Sequence, residues 1–434
     1  MRVKIIGGGL AGCECAYQLL KRKVEVTLVE MKPTKFSPAH KLNTLCELVC
    51  SNSLKSNDLS TASGLLKEEL RLLDSLIVDC AEQTKVPAGN ALAVDREKFS
   101  LLVTERLKAF ENFHLVCDVE SSLDKGDFDA LVVATGPLTD EALLPALKDL
   151  FGDSFLYFFD AVAPIVTADT IDQEWSFVGD RYGKGDGDYI NCPMDKEQFE
   201  TFWKELVTAQ TAEIKDFEND DVFEGCMPIE VMAKRGQDTI RFGPLKPVGL
   251  RFHDQRPYAV VQLRKENATG TLYNLVGFQT HLKWSEQKRV FSLIPALKNA
   301  EFVRFGVMHR NTYVNSPHFL CEDFTLKSNP NVAFVGQLTG VEGYMESCLS
   351  GLVGALGIYR KLNGLQPIDF GCETITGALT KHVSTINGNF QPMNANFGIL
   401  TPLPQHIRDK SEKKKALSHR SIEKMNEILT KYEV

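Results

Sequence analysis

The sequence predicts an α/β fold: a Rossmann-type parallel sheet split in two by an inserted α/β domain. Three stretches predict it. GGGLAG at 7–12 is a glycine turn between two apolar runs at the start of the 434-residue chain. FDALVVATGPL at 128–138 is an apolar run closed by a small-residue turn. NPNVAFVGQLTGVEGYMESCLSGLVGALG at 329–357 again sets an apolar run, a glycine turn and a small-residue helix in order, after a long stretch of different character.

Residues 3–6 form a short strand. An amphipathic helix follows through about Lys21, and VEVTLVE at 24–30 is a second strand. This is a βαβ unit with Gly7, Gly9 and Gly12 in GxGxxG spacing at its turn. Gly8, Leu10 and Ala11 complete that turn. Glycines let the backbone approach a pyrophosphate closely, and the helix start supplies N–H groups to the anion. Glu30 ends the second strand, 18 residues after Gly12. A carboxylate there accepts hydrogen bonds from an adenosine ribose. Together these features point to a dinucleotide.

The second and third stretches resemble the FAD-contacting segments of glutathione-reductase-like flavoproteins. The cofactor set on this reading is the 7–12 turn, Glu30, Val119, Ala134, Thr135 and Gly136, then Gly336, Gln337, Gly343 and Tyr344 from the closing segment. Tyr344 could stack on flavin, folate or a base, and equally reads as an ordinary core aromatic. No second GxGxxG follows a strand, and GKGDGD at 183–188 has no apolar strand before it, so a separate NAD(P)H domain is not expected. The expected division is 1–169 and 301–434 for the two parts of the FAD-binding domain, the second with a C-terminal helix, and 170–300 for the insertion.

Hydrophobic residues make up 43% and charged residues 24%, the balance of an ordinary globular protein. No run approaches the roughly 18 apolar residues of a membrane span, and MRVKIIGG reads as a strand start and not a signal peptide, because no small-residue cleavage site follows an apolar core, so the expected setting is the cytoplasm. Eleven cysteines are scattered without CxxC pairs or histidines at ligand spacing, so no metal site is expected. A net charge of −8 argues mildly against nucleic acid. One stretch argues the other way: residues 234–265 carry eight Lys/Arg against two Asp. Arg251, Arg256 and Arg264 within it are the candidate RNA contacts, against the alternative of a solvated face with counter-charges folded nearby. The tail SEKKKALSHRSIEKMNEILTKY is a basic amphipathic helix, read as a surface helix packed by Leu417, Ile422 and Ile428 ahead of an RNA arm.

Two thiols sit in unusual company, Cys50 in LCELVCSNSLKSN and Cys226 in FEGCMPIE. Taken without the longer blocks below, Cys226 reads as a small buried hydrophobe and Cys50 as a helix-end residue packing under the FAD. Cys46, four residues before Cys50, would share its face on a helix and reads as core, as do Cys192 and Cys348.

Longer blocks are more specific. PAHKLNTLCELVCSNSL, VPAGNALAVDREKFS, FEGCMPIEVMAKRG, DTIRFGPLKPVGL, RPYAVVQLRKEN and GQLTGVEGYMESCLSGL resemble TrmFO, the folate- and FAD-dependent tRNA (uracil-5-)-methyltransferase family related to the MnmG (GidA) flavoproteins. The resemblance runs from Val3 to about Lys415. It implies methylation of the T-loop uridine at position 54 of tRNA, with methylenetetrahydrofolate as carbon donor and NAD(P)H reducing FAD. A 23S ribosomal RNA uridine, wobble-uridine modification of the MnmG type, and a flavin thiol–disulfide reductase using Cys46 and Cys50 are the alternatives. The family's two acting cysteines fall on Cys50 and Cys226. Cys226 is read as the nucleophile toward uracil C6 and Cys50 as the acid/base, with the reverse assignment open. A reactive thiolate needs cations nearby, for which Lys234, Arg235 and Arg241 are candidates. The chain departs from the family at His40-Lys41-Leu42, where His-His-Thr is common, and at Cys13 and Cys15, where Ser and Ala are usual.

Overall fold

The computed structural model describes residues 1–37, 39–152, 155–161, 163–183, 187–212, 227–267, 269–306, 308–386, 390–405 and 407–434. Strand Ala130–Val133 is buried at every residue, as strands are when helices cover both faces of a parallel sheet. It lies parallel to Arg2–Ile6 on one side and to Val332–Phe334 on the other. Arg2–Ile6 pairs with Glu25–Glu30, and that strand with Phe113–Cys117. The sheet thus has five parallel strands in the order 332–334, 130–133, 2–6, 25–30, 113–117. One edge comes from the far end of the chain, as the sequence predicts.

Helix Leu10–Lys21 departs from its expected amphipathic form, because ten of its twelve residues are buried. Helix Tyr344–Leu362 packs closely beside it. Gly351 on that helix comes so close that an ideal Cβ would overlap the Ala11 carbonyl oxygen. Backbone contact of this kind needs glycine and leaves no room for a solvated face.

A second sheet is antiparallel throughout, in the order 177–178, 189–194, 259–265, 272–275, 165–167, 302–304. With helices Lys196–Thr208, Ile229–Lys234, Gln237–Phe242 and Trp284–Phe291 it encloses a core of its own, including Phe199, Phe202, Val261, Leu275, Phe278 and Phe291. Its strands Ile165–Thr167 and Phe302–Arg304 extend beyond the 170–300 span on both sides. The antiparallel pair Phe155–Ala161 and Met308–Val314 carries the chain in and out. A small sheet of Ser53–Ser56, Ala91–Val94 and Lys85–Val86, which the sequence did not suggest, lies beside it. There the Tyr189 hydroxyl donates to the Ala88 carbonyl at 3.0 Å.

The C-terminal helix Lys410–Tyr432 packs through Leu417, Met425 and Ile428. Glu69 ties it down. This buried carboxylate accepts from Ile375 N and Thr376 N at 2.8 Å, and from the hydroxyls of Thr376 and Ser421. Burial raises its pKa, and the four donors oppose that shift. One residue therefore holds helices Ala62–Leu72, Ile375–Ser384 and Lys410–Tyr432 together.

Two residues earlier, Lys67 is fully buried and donates to Leu54 O at 2.8 Å and Ser63 O at 3.0 Å. Burial opposes its charge and brings its pKa down to about 7. The cost of keeping it charged is therefore complete below pH 7. It shrinks as pH rises and is gone above the ordinary lysine value near 10.5. Urea titrations from pH 7 to 10 should show Lys67 adding a rising slope of up to about 1.4 kcal/mol per pH unit. Lys67→Met should remove that slope; an unchanged pH profile would contradict the buried-amine account.

Candidate active site

A cleft opens at the carboxyl ends of the parallel strands. Its walls are the 7–11 turn, Glu30, Val119, the 134–139 turn, Gly336, Gln337 and Tyr344, with His40, Glu47 and Val49 opposite. Of the expected cofactor set only Gly12 and Gly343 stand back from it, and both act on the backbone. An ideal Cβ on Gly12 would overlap the Gly7 carbonyl oxygen. Gly343, at φ +123°, starts helix Tyr344–Leu362.

Gly9 is different: nothing lies within 4 Å of where its Cβ would be. It precedes helix Leu10–Lys21, whose start has no side-chain cap. That combination is an open cradle with free N–H groups, suited to a pyrophosphate. Glu30 accepts from Gly8 N at 2.7 Å and from Lys32 N at 3.1 Å. Each carboxylate oxygen keeps a second acceptor position, so holding the turn leaves capacity for ribose hydroxyls. These residues fit a dinucleotide such as FAD.

The Cys50 loop forms part of the same wall. The Tyr344 hydroxyl accepts from Cys50 N at 2.8 Å and Ser51 N at 3.1 Å. Three arginines close on the loop from three elements. Arg96 donates to Leu48 O at 2.6 Å and Cys50 O at 3.2 Å. Arg304 donates to Val49 O at 2.8 Å. Arg264 donates to Ser51 Oγ at 2.8 Å and Asn52 Oδ1 at 3.1 Å. Glu266 pairs with Arg96 and accepts from Asn274 at 3.1 Å, leaving an excess of positive charge around a half-buried thiol. Burial holds Arg264 and Arg304 below the usual arginine range, and it pushes the Tyr344 phenol well up.

Arg264 is a correction. The sequence offered it as an RNA contact, yet it is 7% exposed and turned toward the Cys50 loop. Its strand Ala259–Lys265 is buried on both faces, so the side that looks polar in the sequence is an interior polar network. Gln262, on the same side, donates to Asn191 Oδ1 at 3.0 Å. Arg251 and Arg256 are exposed. Arg241 lies over the Tyr258 ring, 4.0 Å from its centroid. Cys226 falls outside the described residues, so its distance from Cys50 and from Lys234 or Arg235 is not part of this geometry.

Cys46 is core, as the sequence reading has it. It has φ +57°, so no helix joins it to Cys50. It is buried, with its N–H on Gly8 O at 2.7 Å, and burial pushes its thiol well up. A thiol so placed is ill suited to exchange with Cys50. Cys192 and Cys348 are buried in the same way. The sequence reading missed Arg96, Arg304, Glu266 and the hold of Tyr344 on the loop; no spacing rule links residue 50 to residue 304. Among the described residues there is no cluster suited to a metal ion, and no helix is long and apolar enough to cross a membrane.

The family model described as glucose inhibited division protein A matches residues 2–366. A protein of Acetivibrio thermocellus, methylenetetrahydrofolate–tRNA-(uracil-5-)-methyltransferase TrmFO, is 55% identical over 433 residues, 99% of each chain. The chain belongs to the TrmFO family. The Bacillus subtilis protein of the same name is 50% identical over 429 residues, 98% of each chain. The crystal structure of Aquifex aeolicus GidA, at 16% identity, shares the fold with a TM-score of 0.70 over 98% of this chain and 76% of that one. The stretch His40-Lys41-Leu42 borders the cleft. His40 lines it, while Lys41 N and Leu42 N donate to the Glu47 carboxylate at 2.9 and 3.0 Å.

The glycine turn separates two kinds of damage. Gly9→Val should fold normally and bind no FAD, because its side chain meets only the space left for the pyrophosphate. Gly12→Val should fail to fold, because it meets the Gly7 backbone. Visible absorbance and thermal melting of both variants check this; a yellow Gly9→Val protein would contradict the cradle.

Proposed function

We propose that the chain methylates C5 of a uridine in tRNA, the T-loop uridine at position 54, in the cytoplasm. The carbon comes from methylenetetrahydrofolate and the reducing equivalents from NAD(P)H. The observation that carries this reading is the thiol loop built into the wall of a dinucleotide cleft, with Tyr344 touching both.

Uracil C5 is a weak nucleophile. Addition of a thiolate to C6 makes C5 enolate-like, so that it attacks an electrophilic methylene carbon. Loss of the C5 proton to a base then expels the amine that carried the new carbon and leaves an exocyclic methylene on C5; the sulfur stays on C6 and departs when hydride reaches that methylene and the C5–C6 double bond re-forms. FAD, when bound, supplies the hydride that turns this methylene into a methyl group. Cys226 takes the part of the nucleophile, an assignment that rests on the family resemblance. Cys50 takes the C5 proton. Arg96, Arg264 and Arg304 favour its thiolate form, and Tyr344 fixes its backbone beside the cofactor. Arg251 and Arg256 lie exposed for contact with RNA phosphates.

RNA carrying 5-fluorouridine at the target should trap a covalent complex, because fluorine cannot leave as a cation. Cys226→Ala should give no adduct. Cys50→Ala should lose turnover yet still trap RNA, since adduct formation does not need the C5 proton removed. Both should keep FAD. Loss of the adduct in Cys50→Ala alone would reverse the roles, and wild-type turnover in both variants would refute the mechanism.

Removing the charges of Arg251 and Arg256 together should weaken tRNA binding. It should also flatten the log–log salt dependence by roughly one unit per lost contact. An unchanged slope returns both residues to an ordinary solvated surface.

A further inference from the structure

At the edge of the inserted sheet a ladder of rings runs from the core to the surface. Phe278 and Phe291 are fully buried and meet edge to face at 5.2 Å. Phe291 packs on Phe302 at 6.4 Å. Phe302 stacks on Phe305 at 5.6 Å and 10° between planes, and Phe305 stacks on Trp284 at 5.7 Å and 15°. Trp284 ends the ladder with 61% of its surface exposed. The arrangement is held firmly. Gln287, on the same helix as Trp284, donates to Gly306 O at 2.8 Å and accepts from Gly306 N at 2.7 Å.

An indole stacked on one side and open to solvent is an unfinished stack. Three features say what completes it. The ladder is continuous with the thiol loop, because Arg304, next to Phe305, donates to Val49 O, one residue before Cys50. The charge beside it is positive: Lys283 adjoins Trp284, and Lys288, four residues on, shares its helix face. The carboxylate two residues along the helix, Glu286, is taken up by Arg289 at 2.8 and 3.1 Å. The rings also lie outside the cofactor cleft, whose lining includes none of them, so a pterin that must meet a flavin is not the occupant.

We propose that Trp284 is a stacking platform for an unpaired base of the RNA substrate beside the reacting uridine. The inference rests on the RNA-modifying function proposed above and names the group that would position the strand at the thiol loop. Every base has a π-face, so this contact supplies affinity and placement without reading sequence.

The test uses the FAD-loaded enzyme and a transcribed tRNA. Trp284→Ala should raise Kd and KM for tRNA about tenfold, the size of one lost base–aromatic stack. FAD content and flavin reduction by NAD(P)H should not change. Trp284→Phe keeps a ring and should bind close to wild type. Binding of tRNA should quench tryptophan emission in the wild type, and Trp284→Phe should lose most of that quench. A purely structural Trp284 would lower the melting temperature without moving the quench. The proposal is overturned if Trp284→Ala binds tRNA like wild type, or if Trp284→Phe is as weak as Trp284→Ala. It is also overturned if the KM that rises is that for methylenetetrahydrofolate. Failure of the proposed function is read separately: a wild type that forms no thymine in any RNA would sink that reading, while tRNA affinity and quenching would still report on the platform.

Discussion

Backbone groups removed from water must find partners, and the loop around Cys50 has no helix or strand to supply them. Side chains do it instead. The carbonyls of Leu48, Val49 and Cys50 are taken by Arg96 and Arg304, and the N–H groups of Cys50 and Ser51 by Tyr344. These donors and acceptors come from helix Arg96–Lys108, from the edge of the inserted sheet and from the cleft-closing helix. The loop conformation therefore exists only when all three are in place. Folding of the whole chain and the assembly of this loop are one event.

The same constraint explains why this much charge is tolerated in the interior. A lone buried guanidinium is expensive, but a guanidinium that satisfies several carbonyls replaces most of its hydration. Asn52 extends the network, donating to Val94 O at 3.0 Å and Lys265 O at 2.9 Å, so the loop is joined to both neighbouring sheets. The positive charge gathered around the Cys50 thiol is thus a by-product of how the loop is held.

The cofactor half of the molecule was legible in the sequence because its physics is local. Gly7, Gly9, Gly12 and Glu30 lie within one βαβ unit, and each answers a requirement of that turn. The strand at 332–334 was legible because its apolar run and glycine turn mark it wherever it falls. Arg264 was misread because alternation along VVQLRK separates polar from apolar residues without saying whether the polar face meets water. Cys46 was legible as core, although spacing carries no information about its left-handed φ. Arg96 and Arg304 were invisible for a third reason: they meet Cys50 only through tertiary folding.

The late strand Val332–Phe334 also has a consequence for biosynthesis. A ribosome releases the chain from its N-terminus, so Ala130–Val133 emerges with one neighbour, Arg2–Ile6, already made and the other not yet translated. Its free side is an apolar strand edge, the kind of surface that recruits a foreign strand. Everything from Ile165 to Arg304 must be synthesised first, and that segment builds a separate core while the edge waits. The inserted unit acts as a timer on the nascent chain, and the half-finished sheet is the species that chaperones must cover.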